Sequence, residues 1–141
     1  MRVLLDTAVM VAAIRSDVGA SRRLLVAGLE RRLTLLASVP LMIEYQAVLT
    51  RREHLSASGM SAADVGVLLD AVAAVAEPVH LAFLWRPLLG DPDDDMVLEA
   101  AVNGRANAIV TFNIRDFGAA ASFGIAVLRP GEALKRLEDE G

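Results

Sequence analysis

The sequence predicts an α/β domain, a sandwich built on a largely parallel sheet. Short apolar runs rich in Val, Ile and Leu alternate with longer stretches of helical spacing, the pattern that a parallel sheet with crossover helices requires. Acidic or hydroxyl-bearing residues stand directly after two of those runs, and open parallel sheets take their ligands beyond the carboxyl ends of their strands. With 141 residues, 55% of them hydrophobic, the chain can bury one sizeable core, so a single domain over residues 1–141 is expected.

Arg2 to Leu5 form the first apolar run, closed by Asp6 and Thr7, residues suited to the exit from a strand into a helix that continues through Val9 to Ile14. Ser21 stands before Leu24, Leu25, Ala27 and Leu29, an N-capped amphipathic helix by its spacing. Leu33 to Ala37 reads as the second strand. Ser38 and Pro40 open the next helix, with Ile43, Ala47 and Val48 expected on its apolar side and Glu44 one position beyond Ile43. Ser61 caps a long Ala- and Val-rich helix from about Ala62 to Ala76, stopped by Pro78. His80 to Trp85 alternates weakly, as a third strand would. The acidic run Asp91 to Asp95 leads into a helix from Met96 to Arg105, closing near Gly104. Ala108 to Thr111 and Ile125 to Leu128 supply the remaining strands, with Asn113 and Asp116 in the loop or helix start between them, and Pro130 opens a terminal helix to Glu138.

Composition narrows the function classes. The absence of cysteine excludes disulfides and thiolate metal sites and suits a reducing cytoplasm, the expected location. The first five-residue apolar run is broken by Asp6, too short for a signal peptide or a membrane span, so no membrane partner is expected. The net charge of −4 argues against a uniformly basic surface, yet arginines come in pairs, Arg22 with Arg23, Arg31 with Arg32 and Arg51 with Arg52. Arginine forks suit phosphate, although exposed helix-end charges would look the same. Aromatic residues make up only 4% of the chain, which argues against nucleic-acid recognition through stacking platforms. Glycines are scattered rather than gathered into a phosphate loop.

Chemistry concentrates in the acids. Asp91, Asp93, Asp94 and Asp95 fall within five residues. Two carboxylates ~4 Å apart repel by about 1 kcal/mol in water and roughly 4 kcal/mol at an effective dielectric near 20. A cation relieves that repulsion, and carboxylate oxygens without thiolates or spaced histidines favour a hard ion, Mg²⁺ or Mn²⁺. The plainer alternative is a solvated acidic loop that caps a helix. If the first and fourth apolar runs pair in the sheet, Asp6 meets Thr111, Asn113 and Asp116 in one cleft. The helix after Asp95 then brings its N-terminus close, and Glu44 closes the ring. His54 and His80 have no partner at ligand spacing.

Four blocks, VLLDTAVMVAA, SVPLMIEYQAVLTR, DPDDDMVLEAAVNGRANAIVTFNIRDF and IAVLRPGEAL, together cover nearly the whole chain and resemble the PIN domain family of small metal-dependent nucleases. The resemblance implies a three-layer α/β/α fold and a Mg²⁺- or Mn²⁺-dependent endoribonuclease. Asp6, Glu44, Asp95 and Asp116 match the four family acids, with Asn113 and Thr111 beside the last, and Asp94 a substitute for Asp95 as metal ligand. Asp91 and Asp93 are expected to shape the loop, and Thr7 and Thr111 to donate hydrogen bonds to the ligands. The DPDDD form is similar to a subgroup of VapC-like toxins of type II toxin-antitoxin pairs. That implies RNA as substrate, a small cognate antitoxin and a homodimer as partners, with the Ala62–Ala76 helix and Leu68 as candidate contact surface. One departure stands out: the family commonly carries Asn two residues after the first Asp, where this chain has Ala8. That favours an alternative, an inactive PIN scaffold acting as a binding module.

Overall fold

The computed structural model describes residues 1–82 and 91–140. Five strands, β1 (Arg2–Leu5), β2 (Thr34–Ala37), β3 (Glu77–Pro78), β4 (Ala108–Val110) and β5 (Ala126–Leu128), pair in the order β3-β2-β1-β4-β5. Every pairing is parallel, with Val3 opposite both Leu35 and Ala108 and Ile109 opposite Val127. Among the described residues seven α-helices connect and cover them: α1 (Thr7–Arg15), α2 (Ala20–Leu29), α3 (Val39–Leu49), α4 (Arg52–Ser58), α5 (Ala62–Val75), α6 (Pro92–Asn103) and α7 (Pro130–Glu140), with a 3₁₀ segment, Ile114–Phe123, between β4 and β5. The result is the three-layer α/β/α arrangement. Val3, Leu4, Ile109 and Val110 on the central strands are fully buried, as strands covered on both faces must be.

Several helix ends form where the side chains dictate. Ser38 caps α3 through its hydroxyl, which accepts from the Leu41 amide at 3.2 Å, and Pro40 sits in the first turn, where its missing N–H costs nothing. Ser61 and Asp64 form a reciprocal capping box on α5. Gly59 ends α4 in the left-handed conformation. At the far end of the sheet the Arg2 guanidinium donates to the Gly104 carbonyl at 2.6 Å and pairs with Glu77. It therefore ties the C-terminus of α6 and the edge strand β3 to β1, a cation placed where the helix dipole favours one.

Four expectations need correction. Ser21 does not cap α2: the helix starts at Ala20 after Gly19, and Ser21 is buried inside it. On α3 the buried side is Leu41, Tyr45 and Leu49, one turn apart, while Ile43 is 63% exposed and Ala47 also faces outward. The chain holds more apolar residues than one helix face can bury, and the rotation of α3 is fixed by Tyr45, whose hydroxyl donates to the Leu5 carbonyl. The third strand is Glu77–Pro78, earlier than His80 to Trp85; a proline is tolerated there because β3 is an edge. His80 to Ala82 form no strand, and the rest of that segment with Trp85 lies outside the described residues. The acidic run does not precede α6 but forms its first turn, since the helix starts at Pro92. Helix α4 had no counterpart in the sequence reading. Leu68 is partly buried against the core, whereas Val67 beside it is 70% exposed.

Two glycines give opposite expectations. A Cβ on Gly28 would lie 2.5 Å from Leu35 Cγ, so Gly28→Ala forces α2 off β2 and should cost about 1–3 kcal/mol. A Cβ on Gly66 in α5 meets nothing within 4 Å, and Gly66→Ala should add about 0.5–1 kcal/mol. Urea unfolding of the two variants should therefore move the midpoint in opposite directions.

Candidate active site

The chain leaves β1 toward β2 on one side and reaches β4 on the other, so a crevice opens between the carboxyl ends of β1 and β4. Asp6 sits at its base. The Asp6 amide donates to Val110 at 2.9 Å, extending the ladder by one bond, and the Thr111 amide does the same to Leu128 at 2.9 Å. The Asp6 carboxylate caps α1, with Oδ1 accepting from the Thr7 amide at 2.8 Å and Oδ2 accepting from Thr111 Oγ1 at 2.7 Å. Asp6 is only 8% exposed. Burial raises its pKa, the Thr111 and Thr7 hydrogen bonds oppose the rise, and the charges of Asp116 and Asp93 add to it.

Glu44 reaches the same place from α3. Thr7 Oγ1 donates to Glu44 Oε2 at 2.7 Å, so Thr7 serves Asp6 with its amide and Glu44 with its hydroxyl. Glu44 is half-buried, and its pKa is raised by that burial and by the charges of Asp93 and Asp6, against the Thr7 bond. The side chain of Asp93 lies within hydrogen-bonding reach of it. Tyr45, next along α3, is buried beneath, and its phenol is pushed well above its ordinary pKa by burial and by the charges of Asp6 and Glu44. It packs in the core rather than offering a stacking surface.

The first turn of α6 supplies the other acids. Asp91 caps the helix, Oδ1 accepting from the Asp93 amide at 2.9 Å. Asp94 is partly exposed, and its pKa is pushed up to about 6 by burial and by the charges of Asp91, Asp6, Asp116 and Asp93. Asp94 therefore belongs to the same electrostatic unit as Asp6 and Asp116. Asp95, one position on and turned by about 100°, is 3% exposed, as is Glu99 one turn later at 1%. Neither Glu99 nor the closeness of Asp93 to Glu44 stood out in the sequence, although Asp91 before Pro92 is a capping residue followed by a first-turn proline and could have marked the helix start. Asp116 is exposed in the 3₁₀ segment, and the Asn113 amide donates to Thr111 Oγ1 at 3.0 Å. Ala8 is exposed in the first turn of α1.

Among the described residues, no three acids, histidines or cysteines are gathered into a formed metal-ligand set. Two threonines instead hold Asp6 and Glu44 at fixed positions, while burial and then neighbouring negative charge raise the pKa of Asp6, Glu44 and Asp94. The donor chemistry fits a hard divalent cation: carboxylate oxygens alone, in excess, with lone pairs left over after the threonine bonds. His54 lies apart, near Glu53 and Arg15, and His80 is exposed beyond β3.

The sequence profile of the PIN domain matches residues 2–115, from β1 through the start of the 3₁₀ segment. The chain belongs to the PIN domain family, whose members are generally nucleases that use divalent metal ions. No curated protein matches it.

The acid cluster makes stability depend on pH in a definite direction. Asp94 has a folded-state pKa of about 6 against an ordinary 3.8, so the folded protein holds more protons than the unfolded chain between those values. Without metal, stability should fall as pH rises through that window. Asp94→Asn should melt above wild type at pH near 7.5 in chelator, with the gap closing toward pH 4; a gap of constant size would contradict this assignment.

Proposed function

We propose that the protein is a Mg²⁺- or Mn²⁺-dependent endoribonuclease acting in the cytoplasm as the toxin of a type II toxin-antitoxin pair. The observation that carries the nuclease reading is Asp6, held by Thr7 and Thr111 at the β1/β4 crevice and sharing its field with Asp94 and Asp116. Asp6, Glu44, Asp94 and Asp116 are the proposed ligands, with Asn113 beside Asp116. Asp95 is the alternative third acid, and its depth suits a residue that supports Asp94 from behind. When bound, a divalent cation supplies positive charge to the scissile phosphate and acidifies the attacking water.

The chain's own residues have separate tasks. Thr111 and Thr7 orient Asp6 and Glu44 so that their remaining lone pairs face the crevice. A cluster of carboxylates repels RNA, and Arg115 and Arg129, both exposed beyond the carboxyl ends of β4 and β5, offer cations to the phosphates on either side. Neither forms an ion pair among the described residues, whereas Arg2, Arg22, Arg23 and Arg32 are paired with acids. By the family pattern, products carry 5′-phosphate and 3′-hydroxyl ends.

The toxin reading rests on the DPDDD motif and implies a small antitoxin that covers the acids, with a homodimer as a further assembly. An inactive scaffold is the second reading, and exposed Ala8, where the family commonly carries Asn, is the observation that favours it.

Mn²⁺ titration by calorimetry separates these. Wild type should bind, Asp6→Asn and Asp94→Asn should lose binding, and Thr111→Val should weaken it by about 10- to 100-fold. Asp95→Asn should keep more affinity than Asp94→Asn; the reverse order would restore Asp95 as the ligand. RNA cleavage should follow the same ranking and stop in chelator. A wild type that binds no Mn²⁺, with or without RNA, would favour the scaffold. Expression of wild type, but not Asp6→Asn, should arrest growth if the protein is a toxin.

A further inference from the structure

Beyond the carboxyl ends of β4 and β5 lies a cavity of ≈ 580 Å³, lined by none of the clustered acids but entered by the residue after Thr111. That is within the ~300–1,000 Å³ of small-molecule sites. Residues with little or no side chain, Ala12, Gly19, Ala20 and Gly131, line it together with Phe112 and Arg129. Phe112 follows Thr111, the residue that donates to Asp6. Arg129 follows Leu128, whose carbonyl accepts from the Thr111 amide. Phe112 is thus one residue from the hydrogen-bonded pair at the centre of the acid cluster, and Arg129 one residue from the backbone partner of Thr111.

The lining has a consistent chemistry. Phe112 is 44% exposed, although the core buries most of the chain's large apolar side chains. Arg129 is exposed and forms no ion pair among the described residues. Glu132 shares the lining, its carboxylate accepting from the Arg129 amide at 3.1 Å and capping the start of α7 rather than pairing with the guanidinium. An exposed ring, a guanidinium without an ion pair among the described residues and several small residues thus line one open slot. A nucleobase with its phosphate has the matching shape and charge: a π-face for the ring and an anion for the fork.

We propose that this slot receives one unpaired base of a single-stranded RNA, stacked on Phe112 with its phosphate on Arg129, next to the phosphodiester held at the acid cluster. This inference rests on the ribonuclease reading and adds a specificity pocket to it. The low aromatic content is consistent with a single stacked base rather than a platform. Because stacking tolerates every base and favours large rings, the slot gives a modest purine preference at one position.

The test uses variants that leave the acids untouched. Affinity for short single-stranded oligoribonucleotides is measured in Ca²⁺ by fluorescence anisotropy, with an abasic residue walked along the strand, and Mn²⁺ binding is measured separately. Phe112→Ala should weaken RNA binding by about tenfold, and Phe112→Tyr should restore it. Gly131→Leu, at a lining position where a Cβ meets nothing within 4 Å, should crowd the slot and weaken binding comparably, with its melting temperature followed alongside. One abasic position should weaken wild type yet cost Phe112→Ala nothing further. Mn²⁺ affinity should be the same in all of them. Unchanged RNA affinity in both Phe112→Ala and Gly131→Leu, with wild type binding Mn²⁺ and cutting RNA, would overturn the slot alone. Failure of wild type to bind Mn²⁺ or RNA would overturn the slot and the ribonuclease reading together.

Discussion

Asp6 and Thr111 are 105 residues apart in the chain and share a 2.7 Å hydrogen bond because β1 and β4 are neighbours in the sheet. Everything at the crevice depends on that pairing. It sets the depth of Asp6, places Asn113 and Asp116 just beyond Thr111, and leaves Phe112 and Arg129 on the same rim. Thr7 extends the constraint to α3 by bonding Glu44, and Tyr45 locks the rotation of α3 through the Leu5 carbonyl. The site is held by backbone ladders and three hydroxyl groups rather than by the acids themselves.

The acids work against the fold that holds them. Burial and mutual repulsion raise the pKa of Asp6, Glu44 and Asp94 together. Their hydrogen bonds to Thr111 and Thr7 oppose the rise without cancelling it. A group of carboxylates kept close at a structural cost is the arrangement expected of a cation site, and strain of this kind is commonly concentrated at functional positions. The opposite end of the sheet is compensated instead: Arg2 satisfies the α6 carboxyl terminus and Glu77 at once.

Much of this was legible in the sequence. The alternation of apolar runs and helical spacing gave the parallel sheet, and the two threonines and the residues flanking Asp6 and Thr111 followed from the position of the strand ends. The caps at Ser38 and Ser61 were plain because hydroxyls at those positions have one local use. Other features were hidden because they depend on rotation, which a chain this rich in apolar residues does not specify. Ile43 and Leu41 look alike until Tyr45 fixes the turn of α3. Asp94 and Asp95 look alike in the chain, and only the helix start at Pro92 shows that Asp94 is partly exposed and Asp95 buried. The two-residue β3 carries too little pattern to be found. Phe112 and Arg129 are each ordinary in the sequence, and only strand order brings them to one lining.

The central claim is that Asp94 shares one electrostatic unit with Asp6 and Asp116, a unit that a divalent cation relieves. Carboxyl-carbon NMR titration of Asp94, with and without Mg²⁺, tests it directly. The account predicts a midpoint near 6 in the metal-free protein and a fall below the ordinary carboxylate value once Mg²⁺ is added. A midpoint near 4 that Mg²⁺ leaves unmoved would contradict it.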